Sequence, residues 1–288
     1  MSLFKTNKNL LKPFWSFSQQ GNLWRIFITS NDILIGETRN LEEKIVFFFS
    51  LNLENGEHYL KNYMFEDGNY WISIEGYNSG NIFLHRFENP NLPDHKGIID
   101  IDIKTGEVKW ENKNLLYFFN TETEIYGYKQ QFESFKYFNI GFEDGLILNE
   151  VSEENHIALF ELKQNSSDGL YLNNYYTDNF DSTQTDSSLT QIVNLEINNK
   201  DIQGEVEYIR LDKYFIFNYH LKKINLKDLN DVYLENILCI YDVENNNKIY
   251  SDILNKNARF NVPDSYFVHK DYLIYVKEKK EIITIKLI

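Results

Sequence analysis

One short segment recurs along this chain, and it constrains the fold more than any other feature. Leu51-Asn52-Leu53-Glu54-Asn55-Gly56-Glu57 overlays Ile101-Asp102-Ile103-Lys104-Thr105-Gly106-Glu107. Tyr241-Asp242-Val243-Glu244-Asn245-Asn246 is a third copy, with Tyr250 where Trp110 stands. Each runs up to a turn with apolar and polar residues alternating, the period-two pattern of a strand with one buried face. Phe160-Glu161-Leu162-Lys163 and Leu195-Glu196-Ile197-Asn198-Asn199 read as weaker copies. Self-similarity at ~40–50 residues with several strands per unit is the sequence mark of propeller blades. The expected fold is all-β: a β-propeller of roughly six (five to seven) four-stranded blades, in a single domain over residues 1–288.

The strands between the repeats fit that expectation. Leu23–Ile28 and Ile33–Thr38 flank the turn cluster Ser30-Asn31-Asp32. Asn55-Gly56, between the apolar runs ending at Leu53 and starting at His58, signals a type I′ hairpin turn. Tyr70–Glu75 and Asn81–Arg86 form another pair around the turn Gly76–Gly80. Ile99, Ile101 and Ile103 point one way along their strand, so Asp100 and Asp102 are expected on its solvated face. Two segments break the pattern. The polar interval 164–191 reads as a long loop at a blade edge, or else as a linker between domains of roughly 165 and 100 residues. Lys222–Glu235, with Leu226, Leu229 and Leu234 near helical spacing, is the best helical candidate. The chain ends on a strand, as a propeller needs if its termini close the ring.

Composition agrees and narrows the function. There are 22 Phe and 20 Tyr, while alanine, the best helix former, stands only at Ala158 and Ala258. A hydrophobic fraction of 42% excludes a disordered chain. A net charge of −14 opposes nucleic acid and anionic membrane surfaces. Cys239, the single cysteine, excludes an intrachain disulfide and a cysteine-rich zinc site, and its apolar surroundings suit a buried, inert thiol. No stretch approaches the ~20 apolar residues that span a bilayer. A soluble, cytoplasmic protein is expected.

Motifs for chemistry are sparse. The chain has no Gly-x-Ser-x-Gly elbow and no phosphate- or dinucleotide-binding glycine fingerprint. His85 and His95 are joined by a loop holding Pro90 and Pro93; they would make a metal site if a carboxylate such as Asp94 or Asp100 joined them. Their spacing matches no established metal motif, so ordinary hydrogen-bonded histidines are expected, with no metal and no cofactor. Asp178-Asn179-Phe180-Asp181 with Asp186 is acidic but lacks the ligand order of a calcium loop. The aromatic cluster of Tyr117, Phe118, Phe119, Tyr126, Tyr128, Phe132, Phe135, Tyr137 and Phe138 reads as core, with a stacking platform for sugars or bases as the alternative.

Ile98–Trp110, with its Asp-apolar-x-Thr-Gly turn leading to a strand that ends in Trp, resembles the blades of quinoprotein-like propellers. The longer stretch Trp71–Glu111, with Leu84-His85, Pro90, Pro93, Lys96-Gly97-Ile98 and the Thr105-Gly106 turn, resembles an uncharacterised bacterial family of propeller-like proteins. Gly21-Asn22-Leu23-Trp24-Arg25 fits it as well. The resemblance implies a fold and no activity. His85, Arg86, Asp94 and His95 all lie on that stretch and are the ligand-binding candidates. The expected function is a non-catalytic binding or scaffold module for a protein or small-molecule ligand. The alternative is a hydrolase or lyase acting on a small polar or sugar-like substrate at the channel mouth, its groups gathered from several blades.

Overall fold

The computed structural model describes residues 10–87, 94–132, 134–171, 173–183, 185–225 and 228–287. Strand β1 (Trp15–Ser18) opens the described chain and pairs with its last strand. The chain divides into two compact units, residues 19–172 and residues 1–18 with 173–288.

The first unit is built from three antiparallel sheets, each a meander of four consecutive strands. They are β2 (Asn22–Ile28), β3 (Ile33–Asn40), β4 (Ile45–Asn52) and β5 (His58–Tyr63); then β6 (Ile72–Tyr77), β7 (Asn81–Phe87), β8 (His95–Asp102) and β9 (Val108–Asn112); then β10 (Leu116–Asn120), β11 (Ile125–Gln130), β12 (Phe135–Ile140) and β13 (Ile147–Glu150). Helix α1 (His156–Tyr171) follows. It buries Leu159 against Phe119, Tyr126 and Tyr137 of the third sheet.

The second unit has two five-stranded sheets. It contains β14 (Asn174–Tyr175), β15 (Asp178–Asn179), α2 (Ser187–Ile197), β16 (Ile202–Arg210), β17 (Tyr214–Asn225), β18 (Asp228–Asp242), β19 (Asn247–Ala258), β20 (Tyr266–His269), β21 (Tyr272–Lys277) and β22 (Glu281–Lys286). One sheet runs β15-β16-β17-β18-β19, and the other β1-β22-β21-β20-β14. The two ends of the described chain therefore share a sheet, as the sequence pattern anticipates. The fold is all-β: four of its five sheets are runs of consecutive strands of the blade type, and the fifth adds β1 and β14 to the run β20–β22.

The repeated hairpin is real, and its turn has its own chemistry. In three copies the residue opening the turn accepts a backbone bond from four residues on, at 2.9 Å: Gly56 to Asn52, Gly106 to Asp102 and Gly145 to Gly141. Asn52, Asp102 and Asp242 also cap their turns through the side-chain oxygen, from Glu54, Lys104 and Asn245 N–H respectively. Gly56, Gly106, Gly145 and Asn246 take positive φ at the same place, a conformation open to glycine and tolerated by asparagine. The turn is thus a wider one ending in a left-handed residue, and Asn55-Gly56 is not the type I′ pair expected, since Asn55 keeps negative φ.

Several expectations are corrected. The weak copies at Phe160 and Leu195 lie in α1 and α2. The interval 164–191, read as loop or linker, carries the end of α1, two short strands and the start of α2, which Asp186 caps by accepting from Ser188 N at 2.7 Å. The described residues 222–225 and 228–235 are strand, with Lys222 opposite Leu234 and Ile224 opposite Val232. Their leucine spacing yields to a ladder in which neighbouring residues face opposite sides. Leu226 lies outside the described residues. Asp100 is fully buried rather than solvated, because Ile98 and Phe83 on its face pack into a second core with Trp110 and Leu115. Blade sheets buried on both faces leave no wet side for period-two polarity to mark. No helix among the described residues is long and apolar enough to cross a membrane.

Candidate functional site

The second sheet of the first unit gathers three ligand-type side chains, Glu75, His85 and His95, whose donor atoms lie within 4.8 Å of one another. Two bulges put them there. Ile74 pairs with Leu84 and Gly76 with Phe83, so Glu75 is the extra residue on β6. Leu84 pairs with Ile99 and Arg86 with Lys96, so β8 also carries an extra residue opposite His85. Gly97 takes φ +72° there, the left-handed conformation that such a bulge demands. A bulge re-aims the side chains beside it, and here both bulges turn their strands toward the same histidine.

His85 is 1% exposed. Its ring stacks on His95 with centroids 3.6 Å apart and planes 14° apart. Phe87 sets its ring edge-on to both, at 4.9 and 5.5 Å. Glu75 Oε2 lies 3.0 Å from His95 Nδ1 and in closer contact with His85 Nδ1. That closer contact is off the line of a good hydrogen bond, and His85 Nε2 is buried with no hydrogen-bond partner. Burial works against ionisation of Glu75, yet the His85 contact and the charges of His85, His95 and Arg25 outweigh it and hold the carboxyl below its ordinary range. Burial pulls the His95 imidazole down, partly countered by Glu75.

The surroundings are charged and aromatic. Arg25 donates Nη1 to the Ile74 carbonyl at 2.8 Å. Lys163 of α1 sits 4.1 Å from the Phe118 ring centroid, and burial lowers its pKa while the Glu75 charge opposes that. Tyr128 is pushed up by burial and by the Glu75 charge. The result is a carboxylate and two imidazoles, with two cations near enough to act on the carboxylate. Such a set can ligate a cation through three lone pairs or hold a small polar ligand through ring N–H groups.

Of the four candidates chosen from sequence, the structure brings His85 and His95 together and leaves two elsewhere. Arg86 follows His85 on the strand and so faces the other side. It is held there by Glu66 and Glu111, and the Glu66 contact leads in raising its pKa. Asp94 is exposed and outside the cluster. The carboxylate that joins the histidines is Glu75, neither Asp94 nor Asp100. Sequence reasoning misses it because Gly76 and Tyr77 read as turn. They are strand, and the turn is headed by Asn78, whose Oδ1 accepts from Gly80 and Asn81 N–H at 2.9 and 2.7 Å. A glutamate followed by glycine inside an apolar strand was the available signal.

Asp100 is a separate buried carboxylate. One oxygen accepts from Asn81 Nδ2 at 2.6 Å and the other has no partner. Burial pushes its pKa up to about 7, with the Asn81 bond opposing. Cys239 is buried with its thiol pushed up to about 12 by burial, the inert state expected.

No curated protein matches the chain. Among solved structures it is similar to BamB from Moraxella catarrhalis, at 8% identity over 96% of this chain and 100% of that one, with a TM-score of 0.31. It is also similar to the β-propeller domain of the Trilobed protease from Pyrococcus furiosus, at 12% identity over 93% and 94%, TM-score 0.32. The Dos1 propeller is similar at 8% identity over 96% of each chain, TM-score 0.30. Likeness at that level assigns no function, and the blade reading stands on the strand order itself. The resemblance to an uncharacterised family holds over part of the chain, with Gly21–Arg25 lying before it: residues 28–110 match the model of a domain of unknown function (DUF4905), a span that contains Glu75, His85 and His95.

Proposed function

We propose that the protein is a non-catalytic binding module whose small polar ligand is held at Glu75, His85 and His95. The observation that carries this reading is His85. A 1% exposed imidazole with a partnerless nitrogen is costly, on the order of 1–3 kcal/mol for the buried unmet group. Two bulges and a positive-φ glycine are arranged around it, and structure kept at a local cost is characteristic of sites. The cluster offers lone pairs and N–H donors, which suits binding.

The test is a thermal-shift panel of divalent metals, small anions, sugars and nucleotides on the wild type and His85→Ala. A ligand of the native state at a hundred times its Kd adds about 2.7 kcal/mol, a shift of several degrees. The reading expects at least one class to raise the wild-type Tm and to lose that effect in the variant. A shift that persists undiminished in His85→Ala places the ligand elsewhere, and a panel without any shift removes the support for a site.

A further inference from the structure

Resting on the reading of this cluster as a ligand site, we infer that its ligand is a divalent transition metal ion of the zinc type, held by Glu75, His85 and His95 with a fourth position open. The donor set is two imidazoles and a carboxylate, the combination that zinc accepts with water or a substrate atom in the remaining place. Imidazole nitrogen favours zinc, copper, nickel or iron over magnesium or calcium, which prefer oxygen alone.

The geometry lies close to what such an ion needs. Donors at ~2.05 Å from a tetrahedral centre are ~3.3 Å apart. The His95 Nδ1 to Glu75 Oε2 separation is 3.0 Å, and the His85 contact is shorter. Entry of an ion therefore opens the His95–Glu75 pair by ~0.3 Å and the shorter His85–Glu75 contact by considerably more, and tilts the two rings out of their stack. His95 is the ring with room to move, being the first residue of β8 with a side chain 37% exposed, against 1% for His85. The buried His85 ring is the fixed point, seated against Phe87.

A second observation points to a ligand independently of the donor count. Both imidazole Nδ1 atoms converge on the single oxygen Glu75 Oε2, and His85 makes no aligned hydrogen bond through either nitrogen. A histidine cluster kept for packing would direct its nitrogens to separate partners. The positive neighbours Arg25 and Lys163 add a constraint. They disfavour a bare dication and favour an anion, such as hydroxide or a carboxylate of a second ligand, in the fourth position.

The experiment is equilibrium dialysis of the EDTA-stripped full chain against zinc, with metal analysis, alongside Co²⁺ as a spectroscopic substitute. The wild type is expected to retain one ion per chain and to show visible cobalt d–d bands. His85→Ala, Glu75→Gln and His95→Ala are each expected to lose affinity ~100-fold or more, beyond the loss from outer-sphere partners. His95→Ala alters a partly exposed side chain, so it keeps the test valid if the buried variants misfold by circular dichroism. Retention by the variants equal to the wild type would mean the ion sits elsewhere, and the inference fails. If the wild type retains no metal, the inference fails too. A non-metal ligand that shifts the wild type but not His85→Ala then preserves the site, and the absence of any such ligand removes both.

Discussion

Glu75 in the first unit and Glu196 in the second are part-buried glutamates surrounded by ionisable side chains, and they are built on opposite principles. Glu196 of α2 accepts from Lys200 and Lys248 Nζ at 2.9 and 2.8 Å and from Tyr219 and Tyr241 Oη at 3.0 and 2.7 Å. Burial opposes its charge, but Lys248, Lys200 and Tyr241 prevail and bring its pKa to about 2. Every lone pair faces a donor. Glu75 faces two histidines stacked on each other, one of them with unmet nitrogens. A closed cluster spends its polar groups on one another and stabilises the fold; an open one leaves donor capacity for something that is not part of the chain.

The largest expected effect is on the closed side. Glu196→Gln leaves Lys200 and Lys248 without their carboxylate and should cost about 3 kcal/mol in urea unfolding, the low end for breaking a buried pair, because both lysines reach water. The pH dependence carries the same sign. A carboxyl whose folded pKa is depressed stabilises fully above its ordinary value of 4.5, and that contribution drains away as pH falls toward about 2. The acid limb of a stability–pH curve should therefore be shallower in Glu196→Gln than in the wild type. An unchanged limb would mean that the network contributes little.

Asp100 sharpens the contrast, being an open carboxylate with no cationic cluster around it. Its pKa is raised from 3.8 to about 7 by burial, so the folded state holds a proton that the unfolded chain releases. Stability should fall as pH rises between those values and level off above them. Asp100→Asn keeps an acceptor for Asn81 and removes that slope. The variant should gain about 2 kcal/mol over the wild type at pH 8, with no difference below pH 4. Denaturation midpoints across that range test it, and parallel wild-type and variant curves would show that Asp100 is ionised in the fold.

How much of this could be read in the residues divides along the same line. The hairpin repeat was legible because turn chemistry is local: Asn52, Asp102 and Asp242 cap their own turns whatever packs around them. The helical segments were hidden because α1 and α2 hold one alanine between them and their Leu and Ile alternate locally like a strand's, while α1 is anchored by the contacts of Leu159 with another sheet. The strands at 222–225 and 228–235 were hidden by a coincidental leucine spacing that long-range pairing overrides. Two of the three members of the candidate site were legible, since two histidines near a stiff loop are visible as such. Its third member was not, because a bulge in β6 shifts Glu75 out of simple register with β7. Bulges are set by three-dimensional demands that spacing does not encode.

The most direct test of the central claim, that the Glu75–His85–His95 cluster is an open site rather than part of the scaffold, is urea unfolding of His85→Phe without added ligand. Phenylalanine keeps an aromatic ring against His95 and Phe87, removes the partnerless Nε2 together with the misaligned Nδ1 contact to Glu75, and leaves Glu75 its 3.0 Å contact with His95. An open site predicts a variant at least as stable as the wild type, to within about 1 kcal/mol. A loss of roughly 2 kcal/mol or more would contradict it and place His85 among the groups that hold the sheet together.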